Sequence, residues 1–459
     1  MTELMEWAKH HFGTAQLGSA RRTRRLVQSA AKIAAHPEKS FPQIFDWNEL
    51  RAFYGLCNRP EAHLQSIMKP HWENTRAAMA KEPLVLILHD TTELDFSSHH
   101  KLEGRGQIGN ERGRGFLQHN SLAIVPEPRR VLGLAYQQLR ARQPAPLGES
   151  TFQRKRRPRE SDLWYQGIRA ASRPPEGCCW VDVADRASDD YEAMRSAHEV
   201  GHHFLFRANQ NRNVFVTAAH DRKEPLLDFA RTLAGQSVDT VEIPGRGSRP
   251  PRSAQVSLAG AAVWVPAPAG TPKQRSQPVI PAWVVRIWEP KPPAEVKEPL
   301  EWILICSVPT TTAKDLRTRR DWYCGRWTVE TFHDIEKNGC SEEERRFEKA
   351  ERMDACLAVL SVVAVRVLQL RTLLDSSPAA PATEAATASE IGVVCRHFRL
   401  RVPDLTVRQF VHSVAKLGGF LGRRHDGEPG VRALWRGYQR LQDMVAGYEL
   451  RHDSHVGYT

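Results

Sequence analysis

Between about residue 77 and residue 210, short apolar runs rich in β-branched residues alternate with segments of helical periodicity. Three runs with the composition of strands come first: LVLILHD, FLQHNSLAIVP and RVLGLAYQQLRA. A helix (ESDLWYQGIRAAS), a strand (CCWVDVAD), a helix (SDDYEAMRSAHEVG) and a strand (HHFLFRAN) follow. Short links favour antiparallel neighbours, whereas helices between strands favour crossovers. The sequence therefore predicts an α/β fold with a mixed sheet and crossover helices.

Changes of composition divide the chain into segments. Residues 1–75 are predicted to be helical, and residues 76–376 to hold the α/β core. Within the core, prolines and glycines cluster between short strands over about 212–316, which predicts an antiparallel β insertion. Residues 377–390 are of low complexity and predict a flexible linker. Residues 391–459 again predict helices.

Charge and cysteine usage indicate the class of partner and the compartment. Lys and Arg number 65 against 53 Asp and Glu, an excess of +12 that favours a polyanionic partner, most simply nucleic acid. The eight cysteines form no C-x-x-C pair, so we expect reduced, structural thiols. The N-terminus lacks an apolar signal core, and the longest apolar run is too short to cross a bilayer. We expect a cytoplasmic protein.

Two predicted strands end in an aspartate, Asp90 and Asp185, and a later predicted helix carries Glu330. Because sites in α/β sheets form at the carboxyl ends of strands, these carboxylates are expected to converge. Three such groups can hold two divalent ions roughly 3.5 to 4 Å apart, which activate an attacking hydroxyl and stabilise a leaving oxygen. Mg²⁺ prefers oxygen ligands of this kind and keeps several waters.

Each acid also has an ordinary structural interpretation. Asp90 can cap the turn DTTELD. Asp182 rivals Asp185, although it lies mid-strand, where an unpaired buried carboxylate is costly. Glu330 can be a solvated surface acid. No His–Cys cluster with zinc spacing competes with the carboxylate site.

The stretch DWYCGRWTVETFHDIEK predicts an amphipathic helix. At about 100° per residue, one face carries Tyr323, Arg326, Glu330 and Lys337, with the Trp327 indole beside them. The opposite side carries three apolar residues that suit a core: Val329, Phe332 and Ile335. The polar face is either a solvated surface or a metal-binding carboxylate set among phosphate-binding groups.

Near the N-terminus, GSARRTRRLVQSAAKIAA predicts a helix that begins after Ser19. Its first turns carry Arg21, Arg22, Arg24 and Arg25, where cations oppose the helix dipole. Arginines at such a position can contact DNA phosphates or groove edges, and the alternative is a solvated charge run.

These motifs together resemble those of the bacterial DDE cut-and-paste transposases, in the insertion-sequence-four group typified by transposon five. The first acid stands in the family's D-T-T context (HDTTELDF), and the second in a D-R-x-x-D context (DRASD). The signature Y-x2-R-x3-E-x6-K is matched in full from Tyr323 to Lys337. WAKHHFGTAQLGSARRTRRLV resembles the family's end-recognition domain, and LGGFLGRRHDGEPGVRALWRGYQRLQDM its oligomerisation domain. Ala187 departs from the family, which often has an acid there.

The resemblance implies an RNase H-like core with a β insertion before the helix that carries Glu330. It implies that Asp90, Asp185 and Glu330 bind Mg²⁺, for which Mn²⁺ can substitute. It also implies a homodimer acting on paired transposon ends by nicking, hairpin formation, hairpin opening and strand transfer into target DNA.

The resemblance further assigns DNA contacts to individual residues. Trp302 matches the tryptophan that holds a flipped base, and Trp327 a second aromatic beside the signature, although both also suit a core. The residues matched to phosphate contacts are Tyr323, Arg326, Lys337 and Arg207. His89 and His119 are expected to be structural. Two rival functions remain: an RNase H-like nuclease that cuts without joining, and a degenerate copy that only binds DNA.

Overall fold

The structure is a computed structural model. It describes residues 2–453 apart from 110–111, 151–152, 154–156, 244–250, 270–276, 295 and 402–404.

The described residues form one twelve-stranded mixed sheet flanked by helices. Its strands are β1 (Leu84–Asp95), β2 (Gly106–Ile108), β3 (Gly113–Val125), β4 (Arg130–Arg140), β5 (Cys179–Ala184), β6 (His203–Arg207), β7 (Asn213–Phe215), β8 (Lys223–Pro225), β9 (Ser237–Ile243), β10 (Arg252–Val265), β11 (Ile280–Trp288) and β12 (Glu301–Cys306). Five of them lie in the order β4-β3-β1-β5-β6, in which β1, β5 and β6 are parallel and β3 is antiparallel to both neighbours. This order confirms the predicted mixed sheet with crossovers and is that of an RNase H-like core.

The first strand is longer than the sequence predicts. We expected it to end at Asp90, but β1 continues to Asp95 and stays paired with β3 as far as Gly115. The prediction was wrong because the second half, TTELDF, buries Leu94 and Phe96 and therefore continues the strand. Asp90 thus lies within β1, whereas Asp185 does follow the last residue of β5.

The insertion joins the main sheet instead of standing apart from it. Its last strand, β12, pairs antiparallel with β6, and β11 and β10 extend the sheet outward. The insertion also contains a helix, Leu226–Thr232, which the sequence analysis did not predict.

The helices are α1 (Thr2–Phe12), α2 (Ala20–Ala35), α3 (Phe41–Ile44), α4 (Trp47–Cys57), α5 (Leu64–Met79), α6 (Asp162–Ala170), α7 (Tyr191–Val200), α8 (Leu226–Thr232), α9 (Ala313–Gly325), α10 (Trp327–Asp334), α11 (Ala350–Ser376), α12 (Ala388–Phe398), α13 (Val407–Leu417) and α14 (Val431–Asp453). The long helix α11 is apolar enough to cross a membrane, but 78% of its most apolar window is buried inside the protein. It packs against β4 and the N-terminal helices, as the core helix of a soluble protein does.

The segment predicted to be a flexible linker is packed in this structure. Ala382 is buried, and its N–H donates to the carbonyl of Leu405 at 2.8 Å. Thr387 caps α12, which begins inside the predicted linker. The alanines and the cap residue of this segment form contacts with the C-terminal helices. The low complexity of the sequence alone does not predict these contacts.

Candidate active site

Asp90 lies on β1, and Asp185 directly follows β5, the parallel strand next to β1. His89 of β1 pairs with Ala184 of β5, so the next residue of each strand is one of the two acids. Glu330 approaches from α10, which packs on β1. Burial raises the pKa of Asp90 to about 7; the nearby Arg326 opposes this rise, and the negative charges of Asp185 and Glu330 add to it. The charges of Asp185 and Glu330 therefore both act on Asp90.

Arg326 lies between two of these carboxylates. Its Nη1 is 3.6 Å from Asp90 Oδ2, and its Nη2 donates to Glu330 Oε1 at 2.5 Å. The guanidinium is nearly buried, which strengthens both interactions by excluding water. Arg326 thus supplies the positive charge that offsets the repulsion among the acids.

The sequence predicted one continuous helix across the signature, but in the structure this helix is interrupted. It breaks at Arg326 between α9 and α10, and a π-helical turn, Ile335–Gly339, follows Asp334. Tyr323, Arg326 and Glu330 still share one side. The π turn redirects Lys337, whose Nζ donates to the carbonyl of Glu93 at 2.5 Å. A regular 100° rotation per residue cannot anticipate such a turn.

The apolar side of the same stretch was predicted correctly. Val329, Phe332 and Ile335 are all buried in the main core, which anchors α10 under the sheet.

Tyr323 connects the signature to the β insertion. Burial raises the pKa of its hydroxyl; the charges of Arg207 and Arg326 oppose this, and Arg207 also hydrogen-bonds to it. The ring of Tyr323 meets that of Trp302 edge to face, with centroids 5.2 Å apart. Because β12 pairs with β6, the structure brings Trp302 and Arg207 to the site from distant segments.

Trp302 and Trp327 differ in exposure. Trp302 is half-buried against the main core, whereas Trp327 is 43% exposed and lies with its ring centroid 5.5 Å from the Arg326 guanidinium carbon. Both indoles therefore lie beside the signature, and Trp327 presents a face to solvent.

A buried polar network behind the acids was not predicted. Asp182 lies 2.9 Å from His89 Nε2 and 2.9 Å from His202 Nδ1, and Ser121 Oγ lies 3.0 Å from His89 Nδ1. Burial opposes ionisation of Asp182, but His202 and His89 outweigh it and lower its pKa. His119 is also fully buried, close to His89. The partner of Asp182 that the sequence analysis missed is His202, which lies directly before β6.

His333 is a second residue that the sequence analysis missed. Its Nδ1 is 3.9 Å from Asp90 Oδ2, and its Nε2 is 3.0 Å from Asn120 Nδ2. Burial lowers the pKa of His333 to about 3, so the ring is neutral at physiological pH. The sequence feature that could have identified His333 was its position about one helical turn after Glu330.

The N-terminal arginines have different surroundings. Ser19 caps α2, as predicted, by accepting from the N–H of Arg22. The Arg22 side chain contacts Glu61 at 3.2 Å and donates to a backbone carbonyl, so it supports the local fold. Arg21 and Arg24 are exposed, and Arg25 is half-buried.

The fit of a divalent metal depends on the donor set. In the described part of the chain, no group of three or more acids, histidines or cysteines is already gathered closely enough to hold a metal ion. The donors are nevertheless hard carboxylate oxygens, and the pKa of Asp90 is raised first by burial and then by the charges of Asp185 and Glu330, all of which a bound cation would offset. The residues therefore fit Mg²⁺ by their chemistry.

Two models of known families match the chain, one near each end. The model described as transposase DNA-binding matches residues 4–62, which span α1 to α4. The model described as the Tn5 transposase dimerisation domain matches residues 396–456, which include α13 and α14. The sheet with its three acids lies between the two matched segments.

Proposed function

Because the chain is a Tn5-like transposase by its DNA-binding and dimerisation domains, we propose that it cuts transposon ends and joins them to target DNA by metal-dependent phosphoryl transfer. The observation that carries the proposal is the placement of Asp90 on β1 beside Asp185, directly after β5, and its electrostatic coupling to Glu330. DNA and a second copy of the chain are the partners that the two terminal domains support.

The three carboxylates are the proposed Mg²⁺ ligands, with Mn²⁺ as a substitute. The bound metal would activate the attacking water or 3′-hydroxyl and stabilise the leaving oxygen. Arg326 already neutralises part of the negative charge of the acids, so it helps an anionic DNA phosphate to approach them.

Binding of the phosphate near the cut is assigned to cations around Tyr323. Arg207 hydrogen-bonds to the Tyr323 hydroxyl, and the charge of Arg326 also acts on that hydroxyl. Each guanidinium group can bind two phosphate oxygens at once, so two such groups can fix the orientation of the scissile phosphate. Lys337 lies further along β1, at Glu93.

The proposed reaction passes through a DNA hairpin at the transposon end. A hairpin strains the terminal base pair, and a base that leaves the stack needs an aromatic surface. Trp302 and Trp327 supply indoles beside the signature, one half-buried and one 43% exposed. Trp302 stands on β12, which the sheet holds rigidly, so it suits a base-holding role.

Substitution of the acids tests the chemistry. Asp185→Asn and Glu330→Gln are expected to bind DNA ends like the wild type and to lose Mg²⁺-dependent cleavage. Asp334→Asn is the matched control, because Asp334 lies on the same helix but pairs with Arg432 at 3.2 Å. Cleavage by either test variant at the wild-type rate would reject the site.

Product analysis separates the proposal from its rivals. The substrate is the DNA that flanks the chain's own gene, with every cut mapped on denaturing gels. Hairpin ends followed by joined products are expected from a transposase. Linear ends that are never joined would instead indicate a nuclease, and binding without any cut would indicate a degenerate copy.

A further inference from the structure

A cavity of about 980 Å³ opens beside the far end of β1. Residues from β2, β3 and β4 and from the segment before α6 line it. Six of the lining residues are arginines: Arg105, Arg114, Arg140, Arg142, Arg157 and Arg159. Among the described residues that line it, Glu160 is the one carboxylate. The cavity therefore has a strongly cationic wall.

Two of the arginines are neutralised by carboxylates. Arg142 lies 3.1 Å from Glu93 Oε1 and 2.9 Å from Glu160 Oε2, and Arg157 lies 3.1 Å from Glu149 Oε1. The surplus of positive charge lies on three other lining arginines, which form no ion pair with a described carboxylate: Arg105, Arg140 and Arg159. The ion-paired residues fix the shape of the wall, and the surplus of positive charge gives the wall a positive electrostatic potential.

The remaining charge is held in place by neutral groups. Arg105 donates to three backbone carbonyls of the loop 96–102, at 2.7 to 3.3 Å. Arg140 donates to the carbonyl of Arg159 and, at 3.2 Å, to the side-chain oxygen of Gln166. Neutral acceptors orient a guanidinium without cancelling its charge, so both side chains are pre-positioned for an anion.

The cavity is connected to the candidate active site through β1. Beyond His89, where pairing with β5 stops, Lys337 reaches the open edge of β1 at the carbonyl of Glu93. Glu93 in turn binds Arg142 on the cavity wall. Asp90 and Glu93 are three residues apart, or about 10 Å, and point to opposite faces of the strand. A DNA strand that passes from Asp90 to Glu93 crosses the open edge of β1 at Lys337.

We propose that this arginine-lined cavity binds the phosphodiester backbone of DNA on one side of the scissile phosphate. The position of that phosphate at Asp90 rests on the proposed function. Duplex DNA carries one phosphate per strand for every 3.4 Å of axis, so the spacing of about 10 Å along β1 sets a lower bound of about three nucleotides. The cavity wall then contacts the backbone about three or more phosphates from the cut.

The first test measures DNA affinity by fluorescence anisotropy, with full-length protein, a random-sequence 30-base-pair duplex, and EDTA. Removing the charge that binds one phosphate reduces the salt slope by about 0.9, so Kd changes about 3.5-fold less between 50 and 200 mM salt. Arg140→Gln/Arg159→Gln is expected to remove about two such interactions, or about 12-fold over that interval. Arg140→Lys in place of Arg140→Gln should restore about half of the lost slope.

The matched control removes the same charge elsewhere. Arg169→Gln/Arg173→Gln lies at and beyond the far end of α6, where the two arginines contact Glu192 and Glu199. It is expected to leave the slope within about half a unit of the wild type, because these charges lie away from the cavity. An unchanged slope in the cavity variant, or an equal fall in the control, would overturn the proposal.

The second test locates the binding position along the DNA. Single phosphates on both sides of the cut are replaced by neutral methylphosphonates, and binding of an end-containing duplex is measured. The wild type should lose affinity at a position about three or more phosphates from the cut on one side, and the cavity variant should be insensitive there. A profile that is identical in both proteins would refute the proposed path.

A third arm separates DNA from a free anion. Inorganic phosphate that replaces chloride at equal ionic strength should displace DNA from the wild type and the cavity variant alike. Calorimetric binding of phosphate to the wild type and not to the cavity variant, with the affinity for DNA unchanged, would show a free-phosphate site and overturn the DNA assignment. These measurements need no cleavage. Absence of the salt-slope effect would therefore reject DNA binding by the cavity, whereas absence of cutting would reject only the proposed function.

Discussion

Replacing Asp90 by asparagine is expected to stabilise the metal-free protein at neutral and alkaline pH while it abolishes cleavage. Burial, opposed by Arg326 and reinforced by Asp185 and Glu330, raises the pKa of Asp90 from 3.8 to about 7. The folded protein holds the Asp90 proton more tightly than the unfolded chain does. The contribution of this proton to the free energy of unfolding is therefore fully present below pH 3.8. It is lost as the pH rises through about 7.

The magnitude follows from the size of the shift. A rise from 3.8 to about 7 corresponds to on the order of 4 kcal/mol at about 1.36 kcal/mol per pKa unit. For a core of roughly 300 residues with an unfolding entropy of about 2.1 cal/mol/K per residue, this is about 6 °C in Tm. The advantage of Asp90→Asn should grow between about pH 4 and pH 7 and stay constant above about pH 8.

Scanning calorimetry in EDTA, at pH values from about 4 to 9, measures this difference directly. Asp95→Asn, on the same strand, is the matched control of opposite sign. Hydrogen bonds from Ser97 lower the pKa of Asp95, so its replacement should reduce stability at about pH 8. Added Mg²⁺ should raise the Tm of the wild type and not that of Asp90→Asn. A stability gain that is independent of pH, or an equal response to Mg²⁺ in both proteins, would refute the reasoning.

The remaining predictions concern DNA binding, the dimerisation domain and the hairpin. Arg24→Gln should weaken end binding in a mobility-shift assay without changing Tm, whereas Arg22→Gln should lower the Tm of the N-terminal domain because it removes an ion pair and a hydrogen bond to a backbone carbonyl. At Gly437 an added Cβ would lie 1.7 Å from a backbone oxygen of α13, so Gly437→Ala should separate the helices and reduce dimer formation in size-exclusion chromatography. Gly447→Ala, on the same helix with open space around it, should preserve the dimer. Trp302→Ala should reduce hairpin formation more than the first nick, and an equal loss at both steps would indicate a role in packing.

Local patterns predicted those features that local forces determine. The order of strands and helices in the core followed from apolar runs and their spacing, because each run needs only its own composition to form its element. The apolar side of α10 and the cap at Ser19 were also correct, since both depend on residues within one or two turns.

Features that depend on distant contacts were the ones the sequence analysis missed. β1 continues past Asp90 because β3 pairs with it there, and the segment 377–390 is ordered because Leu405 and its neighbours pack on it. The turn at Lys337 depends on a π-helical irregularity that no periodicity marks. The contact of Trp302 with Tyr323 requires β12 to join β6, a pairing of strands far apart in sequence.

The contrast between two buried aspartates decides which of them belongs to the proposed chemistry. Asp182 and Asp90 lie on adjacent strands, and burial disfavours the charge of both. His202 and His89 satisfy Asp182 and lower its pKa, so a cation would gain little there. Asp90 has two carboxylate neighbours, and even with Arg326 beside it its pKa is raised to about 7. A divalent cation would therefore release more electrostatic free energy at Asp90 than at Asp182, which supports Asp90 as the proposed metal ligand and Asp182 as a support for the strands.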